Sequence, residues 1–175
     1  MTSQKTIVGI IPGPSEPQHD INSYLQPLVD ELHSFWEGVR LHVNTSSGVI
    51  EKRVKCALLC VACDLPAGRK ACGFLSYSAR LGCSRCLKEF TGGVGNQDFS
   101  GFERANWCAR TDTQHRENIK KIRVCKTKTE QKSMESQLGC RYSVFVDLPY
   151  FNSSRFLIAM HNLFLGTGKR MINYD

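Results

Sequence analysis

The sequence predicts an α/β fold in which a mixed sheet packs against flanking helices. Apolar residues recur at helical spacing from Ile21 to Glu37, which indicates a helix with one buried face. The stretch from Val54 to Cys63 is an almost continuous apolar run, typical of a strand buried on both faces of an α/β sheet. With 175 residues, 41% of them hydrophobic, the chain is long enough for one domain with its own core.

Turn and capping residues delimit the other predicted elements. Pro12-Gly13-Pro14 ends a first short strand, Pro66 suits the first turn of a helix, and Thr111 with Gln114 forms a capping box. In the first half of the chain we predict a strand at 6–11, the helix Ile21–Glu37, a strand at 38–43, a turn at 45–48, the buried strand at 54–63 and a helix at 67–74. In the second half we predict one helix from Thr111 to about Cys125 and a second, through Met134 and Leu138, that ends at Gly139. A strand at 142–148, ended by Pro149, and a last helix at 160–171 follow.

Asp64 is the first candidate catalytic residue. Ligands meet an α/β sheet at the carboxyl ends of its strands, and Asp64 directly follows the predicted buried strand. A carboxylate there is well placed to hold a divalent metal ion. The alternative is a helix N-cap, in which Asp64 accepts hydrogen bonds from backbone N–H groups of the helix that follows.

Cys83 and Cys86 form a Cys-x-x-Cys pair, which is typical of half a tetrahedral zinc site. The alternative is a pair of buried thiols, since free cysteine is often a core residue. Cys60 and Cys63 have the same spacing, but in an extended strand they point to opposite faces, which favours inert core cysteines. Candidates for the missing zinc ligands are Cys72, Cys108, His115, Cys125, Cys140 and His161.

The chain is basic, with a formal net charge of +7, and its positive charge is clustered. Residues 51–90 carry eight Lys or Arg and three acids, and residues 110–141 carry nine and four, whereas residues 1–50 are net acidic. Clustered cations favour binding to a nucleic-acid backbone, although a solvated basic surface gives the same count. Arg69, Lys70, Arg80, Arg85 and Lys88 are the candidate DNA contacts.

Two features that the sequence lacks, a signal-like opening and a membrane-spanning stretch, limit the class of protein. Nine cysteines with no signal-like opening disfavour a secreted disulfide scaffold and favour a reducing compartment. No apolar stretch reaches the roughly 18 residues that span a bilayer. A thiol-redox protein built on one Cys-x-x-Cys is a weaker alternative, because a thioredoxin-like aromatic context is missing.

Several short blocks, in order along nearly the whole chain, resemble the Tnp2-type transposases of CACTA (En/Spm) DNA transposons. The blocks are Ile10–Pro14, Ile21–Ser23, Pro27–Leu32, Leu59–Ala67, Gly82–Cys86, Ser100–Phe102, Asn106–Trp107, Arg141–Ser143, Leu148–Phe151 and Met160–Gly166. The resemblance implies a partial RNase H-like mixed sheet with a zinc-knuckle insertion. It also implies the chemistry of the DDE recombinases, in which Mg²⁺ or Mn²⁺ ions held by three carboxylates cleave and rejoin DNA strands.

By this resemblance Asp64 matches the second of the three carboxylates, Cys83 and Cys86 match a zinc knuckle, and His161 matches a histidine of the Met-His block. Relatives carry the first carboxylate before the Pro-Gly-Pro segment and the third after the block that contains His161. This chain contains neither, and it lacks the usual Asp before Met160-His161. We therefore expect an internal transposase fragment that is catalytically incompetent alone.

The resemblance implies one partial catalytic region, divided into an RNase H-like portion at 6–74, a zinc-knuckle and basic helical insertion at 75–141, and a returning strand and helix at 142–175. The expected partner is transposon-end DNA, in the nucleus, with structural zinc as cofactor. Exposed sheet edges also favour self-association or contact with missing parts of a transposase. The alternative is a zinc-stabilised module that binds DNA or protein without catalysis.

Overall fold

The computed structural model describes residues 21–92, 96–98, 100, 101, 103 and 108–159. The helices and strands in chain order are α1 (Ile21–Glu37), β1 (Val39–Thr45), β2 (Gly48–Val54), β3 (Val61–Cys63), α2 (Leu65–Ala71), α3 (Asp112–Arg123), α4 (Lys128–Leu138), a 3₁₀ helix (Val144–Asp147), α5 (Ser153–Phe156) and β4 (Leu157–Ala159). The predicted strand at 6–11 and the predicted last helix at 160–171 lie outside the described residues.

Helix α1 has the bounds that its apolar spacing predicts. Val29 is buried, Leu25 and Leu32 pack against the core, and Pro27 is accommodated inside the helix. At its start, the Asn22 side chain donates to the Tyr142 carbonyl at 3.3 Å and accepts from the Val144 N–H at 3.0 Å. These two bonds attach α1 to a segment 120 residues later in the chain.

Strands β1 and β2 form an antiparallel hairpin that pairs Val39 with Val54 and Thr45 with Gly48. The strand predicted at 38–43 and the turn at 45–48 are confirmed. The hairpin is exposed along almost its whole length, so it projects from the core.

The long buried strand predicted at 54–63 is wrong. Residues 55–60 have no regular structure, Leu59 is 78% exposed, and only Val61–Cys63 form a strand. That strand, β3, pairs in parallel with β4. An apolar run is buried on both faces only where other elements cover both faces, and no such cover exists among the described residues.

The strand predicted at 142–148 is also wrong, because the chain forms a 3₁₀ helix there. The Ser143 hydroxyl caps its start by accepting from the Phe145 N–H. Three consecutive residues, Val144, Phe145 and Val146, are buried. A strand alternates its side chains between two faces, whereas a tight helical turn lets a short run of this kind enter the core from several directions.

Helices α3 and α4 contact each other, and the predicted start of α3 at Thr111 and end of α4 at Gly139 are confirmed. Thr111 caps α3 by accepting from the Gln114 N–H at 3.2 Å, and Thr127 caps α4 in the same way. Gly139 ends α4 with φ of 66°, a left-handed conformation that favours glycine. Met134 and Leu138 pack on the core as their spacing predicts.

The core has two parts. The larger joins α1, α2, the 3₁₀ helix and β4 around fully buried Phe74, Leu148 and Phe151, and the smaller lies under α3 and α4 around Ile119 and Ile122. Helix α2 reaches β4 closely at Gly68, where a Cβ atom would collide with the side chain of Leu157.

The described residues therefore show a mixed α/β architecture with small sheets and flanking helices. Each sheet among them has two strands. The larger RNase H-like sheet and the division of the chain near residues 74 and 141 stay predictions.

Arg110 connects the irregular segment after α2 to the end of α4. Its buried guanidinium donates to the carbonyls of Cys83 at 2.8 Å, Leu81 at 3.1 Å and Gly139 at 3.4 Å, and lies 5.7 Å from the Phe74 ring centroid. Because a planar guanidinium can reach several carbonyls at once, neither lysine nor an apolar side chain can replace it.

We expect Arg110→Met to lower the free energy of unfolding by about 2–3 kcal/mol, because it leaves buried carbonyls without donors. Urea denaturation followed by circular dichroism measures this. Arg80→Met is the matched control, since Arg80 is exposed and its ion pair with Glu89 is worth at most about 1 kcal/mol. Equal losses in the two variants would contradict a structural role specific to Arg110.

Candidate functional site

Asp64 lies at the junction of β3 and α2, as the sequence predicts. Its side chain is exposed and caps α2, with Oδ1 accepting from the Ala67 N–H at 2.7 Å. Pro66 occupies the first turn of the helix, where a missing N–H costs no helical hydrogen bond. Asp64 is therefore an N-cap in this structure, and its position at the carboxyl end of a strand also fits the predicted metal-binding role.

Cys83 and Cys86 form a tight turn in which backbone N–H groups point at sulfur. The Arg85 N–H donates to Cys83 Sγ at 3.3 Å. Burial opposes ionisation of the Cys83 thiol, but hydrogen bonds from Arg85 and Cys86 and the charge of Arg110 together lower its pKa. Burial raises the pKa of Cys86, and the neighbouring Cys83 raises it further. The Cys83 thiol therefore loses its proton more readily than the Cys86 thiol, and zinc binds the thiolate form of cysteine.

This turn supplies two ligands, which is half of a tetrahedral zinc shell. Among the described residues, no group of three or more His, Cys, Asp or Glu side chains is placed to hold a metal ion. His161, the third predicted ligand, lies outside the described residues. The pair fits zinc chemistry, but a complete site is not seen in this part of the chain.

Two of the other candidate thiols are poorly suited to metal binding. Cys72 and Cys140 are fully buried, and burial raises their pKa to about 12 and about 11. Cys108 is exposed, and its carbonyl accepts from the Leu87 N–H at 2.8 Å beside the bridge between Cys86 and Ala109. Cys108 is not part of any metal-binding group of three or more side chains among the described residues.

His115, another candidate ligand, is a core residue. It is 3% exposed, and its ring centroid lies 5.3 Å from that of Phe74. Burial and then the charge of Arg110 lower the pKa of His115 to about 4, which keeps the ring neutral. Neither ring nitrogen has a hydrogen-bond partner among the described residues.

The second Cys-x-x-Cys does not lie in the core, contrary to the prediction. Cys60 is exposed and Cys63 is half-buried, because the run that carries them is a short strand with one neighbour. Burial and then the charge of Asp64 raise the pKa of the Cys63 thiol.

Two of the five predicted DNA contacts donate to backbone carbonyls: Arg69, which is buried, and Arg85, which is exposed. Arg69 is 6% exposed and donates to the carbonyls of Leu75 and Gly82. Arg85 donates to the carbonyls of Ser154 and Leu157. These guanidiniums satisfy backbone groups, so neither presents its charge freely to a phosphate.

The other three predicted contacts differ in their exposure. Arg80 forms an exposed ion pair with Glu89. Lys88 is half-buried, with its ammonium 5.9 Å from the Phe90 ring centroid. Lys70 is half-buried and lines a cavity beside α2.

Sequence reasoning did not select a group of lysines at the turn between α3 and α4. The members of this group, which we call the α3–α4 lysines, are exposed: Lys120, Lys121, Lys126, Lys128 and Lys132. The positive charge of residues 110–141 includes these lysines. Only the bounds of the helices show that four of the five lie next to the turn between α3 and α4. Lysine in the first turn of a helix is disfavoured by the helix dipole, so Lys128 is placed there against its intrinsic preference.

The chain matches the model of the transposase family tnp2 over residues 1–140. The chain belongs to the tnp2 transposase family. The Tnp2-type resemblance seen in the sequence is thus confirmed. No curated protein and no solved structure matches the chain significantly. No helix in the described part of this tnp2-family chain is long and apolar enough to cross a membrane.

We expect Asp64→Ala to lower the free energy of unfolding of this tnp2-family chain by about 1 kcal/mol, because the Ala67 N–H loses its acceptor. Asp64→Asn keeps an acceptor at the cap and should stay within a few tenths of a kcal/mol of the parent. Thermal denaturation of the three proteins compares them. A loss in Asp64→Asn as large as in Asp64→Ala would show that the negative charge, and not the cap, stabilises the fold.

Proposed function

We propose that the chain is part of the catalytic region of a DNA transposase, that it binds DNA through the α3–α4 lysines, and that it does not cleave DNA on its own. Membership of the tnp2 family supports a transposase-related role. The proposed site of action is the nucleus, where a DNA transposon lies.

The exposed α3–α4 lysines are the observation that carries the DNA-binding part of this proposal. The helix pair has a capped start on each helix and a buried apolar side, so its lysines stand on a well-ordered support. Phosphate contacts by such side chains release counterions from DNA, which gives affinity without sequence specificity. Arg69 and Arg85 donate to backbone carbonyls, so the lysines are better placed for phosphate contacts than these two arginines.

The proposed lack of activity follows from the chemistry of two-metal catalysis. Two divalent ions must bridge several carboxylates to activate one oxygen and stabilise another. Asp64 supplies one carboxylate at the end of β3, and the described residues bring no pair of further acidic side chains to it. We propose that Asp64 becomes catalytic only with the first and third carboxylates of a complete transposase, which would hold Mg²⁺ or Mn²⁺.

A zinc-stabilised DNA- or protein-binding module is the second candidate function. The N–H groups directed at Cys83 and the lowered pKa of its thiol favour it. Under this proposal zinc would be structural, and the remaining ligands would include His161.

The exposed hairpin supports association with another protein surface. Leu41, Val43 and Ile50 lie on one face of the hairpin and are all exposed. A two-stranded hairpin is marginally stable in water by itself, so cover from a second copy or from other transposase segments would stabilise it.

We expect the purified chain to retard duplex DNA at low salt, and the triple variant Lys120→Gln, Lys121→Gln, Lys128→Gln to bind more weakly. The slope of log K against log salt should decrease in magnitude by about 2–3, because about 0.9 is lost for each phosphate contact. Fluorescence anisotropy across a salt series measures the slope.

The matched control removes three cations from the hairpin region, with Arg40→Gln, Lys52→Gln and Lys55→Gln. It should change the slope much less than the helix variant does. Equal effects would point to net charge alone, and no retardation by the parent chain would overturn the DNA-binding proposal. Nicking of DNA with Mg²⁺ that Asp64→Asn abolishes would overturn the proposed inactivity.

For zinc, we expect close to one ion per chain, lost in Cys83→Ser because the turn then keeps only one thiol ligand. Elemental analysis of protein purified without chelator measures it. Cys60→Ser is the matched control, since Cys60 belongs to the other Cys-x-x-Cys and is exposed. Zinc retained in Cys83→Ser, or absent from the parent, would leave the Cys83–Cys86 turn as two structural thiols.

A further inference from the structure

A cavity of about 240 Å³ lies beside α2, and its lining is cationic and aromatic. The lining residues are Pro66, Arg69, Lys70, Phe74, Leu75, Ser76, Tyr77 and Arg141. Three of them are basic and none is acidic, so the cavity favours an anion. Its volume is below the roughly 300–1,000 Å³ of sites that enclose drug-sized ligands, so the ligand is small.

The two aromatic residues of the lining differ in exposure. Phe74 is fully buried, whereas Tyr77 is 62% exposed. An exposed tyrosine in the lining of a cavity is accessible to a planar ligand from solvent. Stacking of a base on such a side chain is worth about 1–3 kcal/mol and does not depend on which base it is.

The cations are held close together. The charge of Arg141 is one of the influences that lower the pKa of Arg69, although burial is the largest, so the two guanidiniums repel each other. Glu135 lies near enough to raise the pKa of Arg141, but burial outweighs it, and Glu135 does not line the cavity. Because Arg69 already donates to two carbonyls, Lys70 and Arg141 are the cations for a phosphate to contact, and its negative charge would also offset the repulsion between Arg141 and Arg69, which favours phosphate over a neutral ligand.

We propose that this cavity binds one unpaired nucleotide of single-stranded DNA, with the base against Tyr77 and the phosphate near Lys70 and Arg141. The inference rests on the proposed DNA-binding function. In duplex DNA the face of a base is covered by its neighbours, so only an unpaired base can stack on Tyr77. Pro66 of the lining is two residues from Asp64, and helix α2 is only about 10 Å long, so the nucleotide lies close to the candidate catalytic carboxylate.

Fluorescence anisotropy with a labelled single strand of about 10 nucleotides, and with the duplex of the same sequence, tests the proposal. Tyr77→Ala should weaken single-strand binding by roughly 5- to 150-fold and leave duplex binding unchanged. Tyr77→Phe should bind like the parent, because the ring remains. Tyr24→Ala, which removes another exposed tyrosine on α1, is the matched control and should have no effect.

Two further measurements examine the phosphate and the base separately. Arg141→Gln should reduce the salt slope for single-strand binding by about 0.7, the value for one phosphate contact. Thymidine 5′-monophosphate should displace the labelled strand from the parent protein at concentrations where inorganic phosphate does not. Equal displacement by the two would reduce the cavity to a phosphate site and overturn the proposal.

The failure of this inference is distinct from the failure of the proposed function. If the parent binds duplex and single strand but Tyr77→Ala changes neither, or weakens both equally, the nucleotide site is wrong and DNA binding stands. If the parent binds neither form of DNA, both proposals fall.

Discussion

The described fold depends on arginine side chains that donate to backbone carbonyls of irregular segments. Much of the chain between α2 and α3, and after α4, has no regular structure, so its buried carbonyls need donors from elsewhere. Arg69, Arg110 and Arg116 supply several of them, and Arg116 alone reaches the carbonyls of Val146, Leu148 and Phe151. Arg85 acts in the same way on the carbonyls of Ser154 in α5 and Leu157 in β4. A guanidinium suits this role because its donors lie in one plane and point in several directions.

This use of arginine changes what the basic composition means. In residues 51–90 the count of eight cations favours a DNA-binding segment, yet Arg69 and Arg85 are committed to carbonyls. In residues 110–141 the same division holds, since Arg110 and Arg116 are structural whereas the lysines are exposed. Arg69, Arg110 and Arg116 donate to carbonyls that hold the fold, whereas the α3–α4 lysines carry flexible, strongly hydrated ammonium groups at the surface.

Elements that depend on local interactions could be predicted from the sequence, and elements that depend on distant partners could not. Thr111, Thr127 and Gly139 act within one helical turn, so the ends of α3 and α4 follow from the residues themselves. The apolar run that ends at Cys63 would be a long buried strand only if other elements covered both of its faces, and the spacing of residues in the sequence does not reveal such elements. The same distinction applies to the site, where Asp64 and the Cys83–Cys86 turn are local features, while burial of Arg69 depends on carbonyls up to 13 residues away.

The two interpretations of Asp64 are compatible. Capping uses Oδ1 as an acceptor for one N–H, and an ionised carboxylate offers about four acceptor positions over its two oxygens. The cap also fixes the carboxylate at the carboxyl end of β3, which is where a metal-bound ligand meets an α/β sheet. The residue that holds the start of α2 in place thus keeps acceptor positions free for the proposed metal ion, while the described residues bring no group of three His, Cys, Asp or Glu side chains together to complete such a site. The N-cap position of Asp64 is therefore consistent with the proposed metal-binding role and does not compete with it.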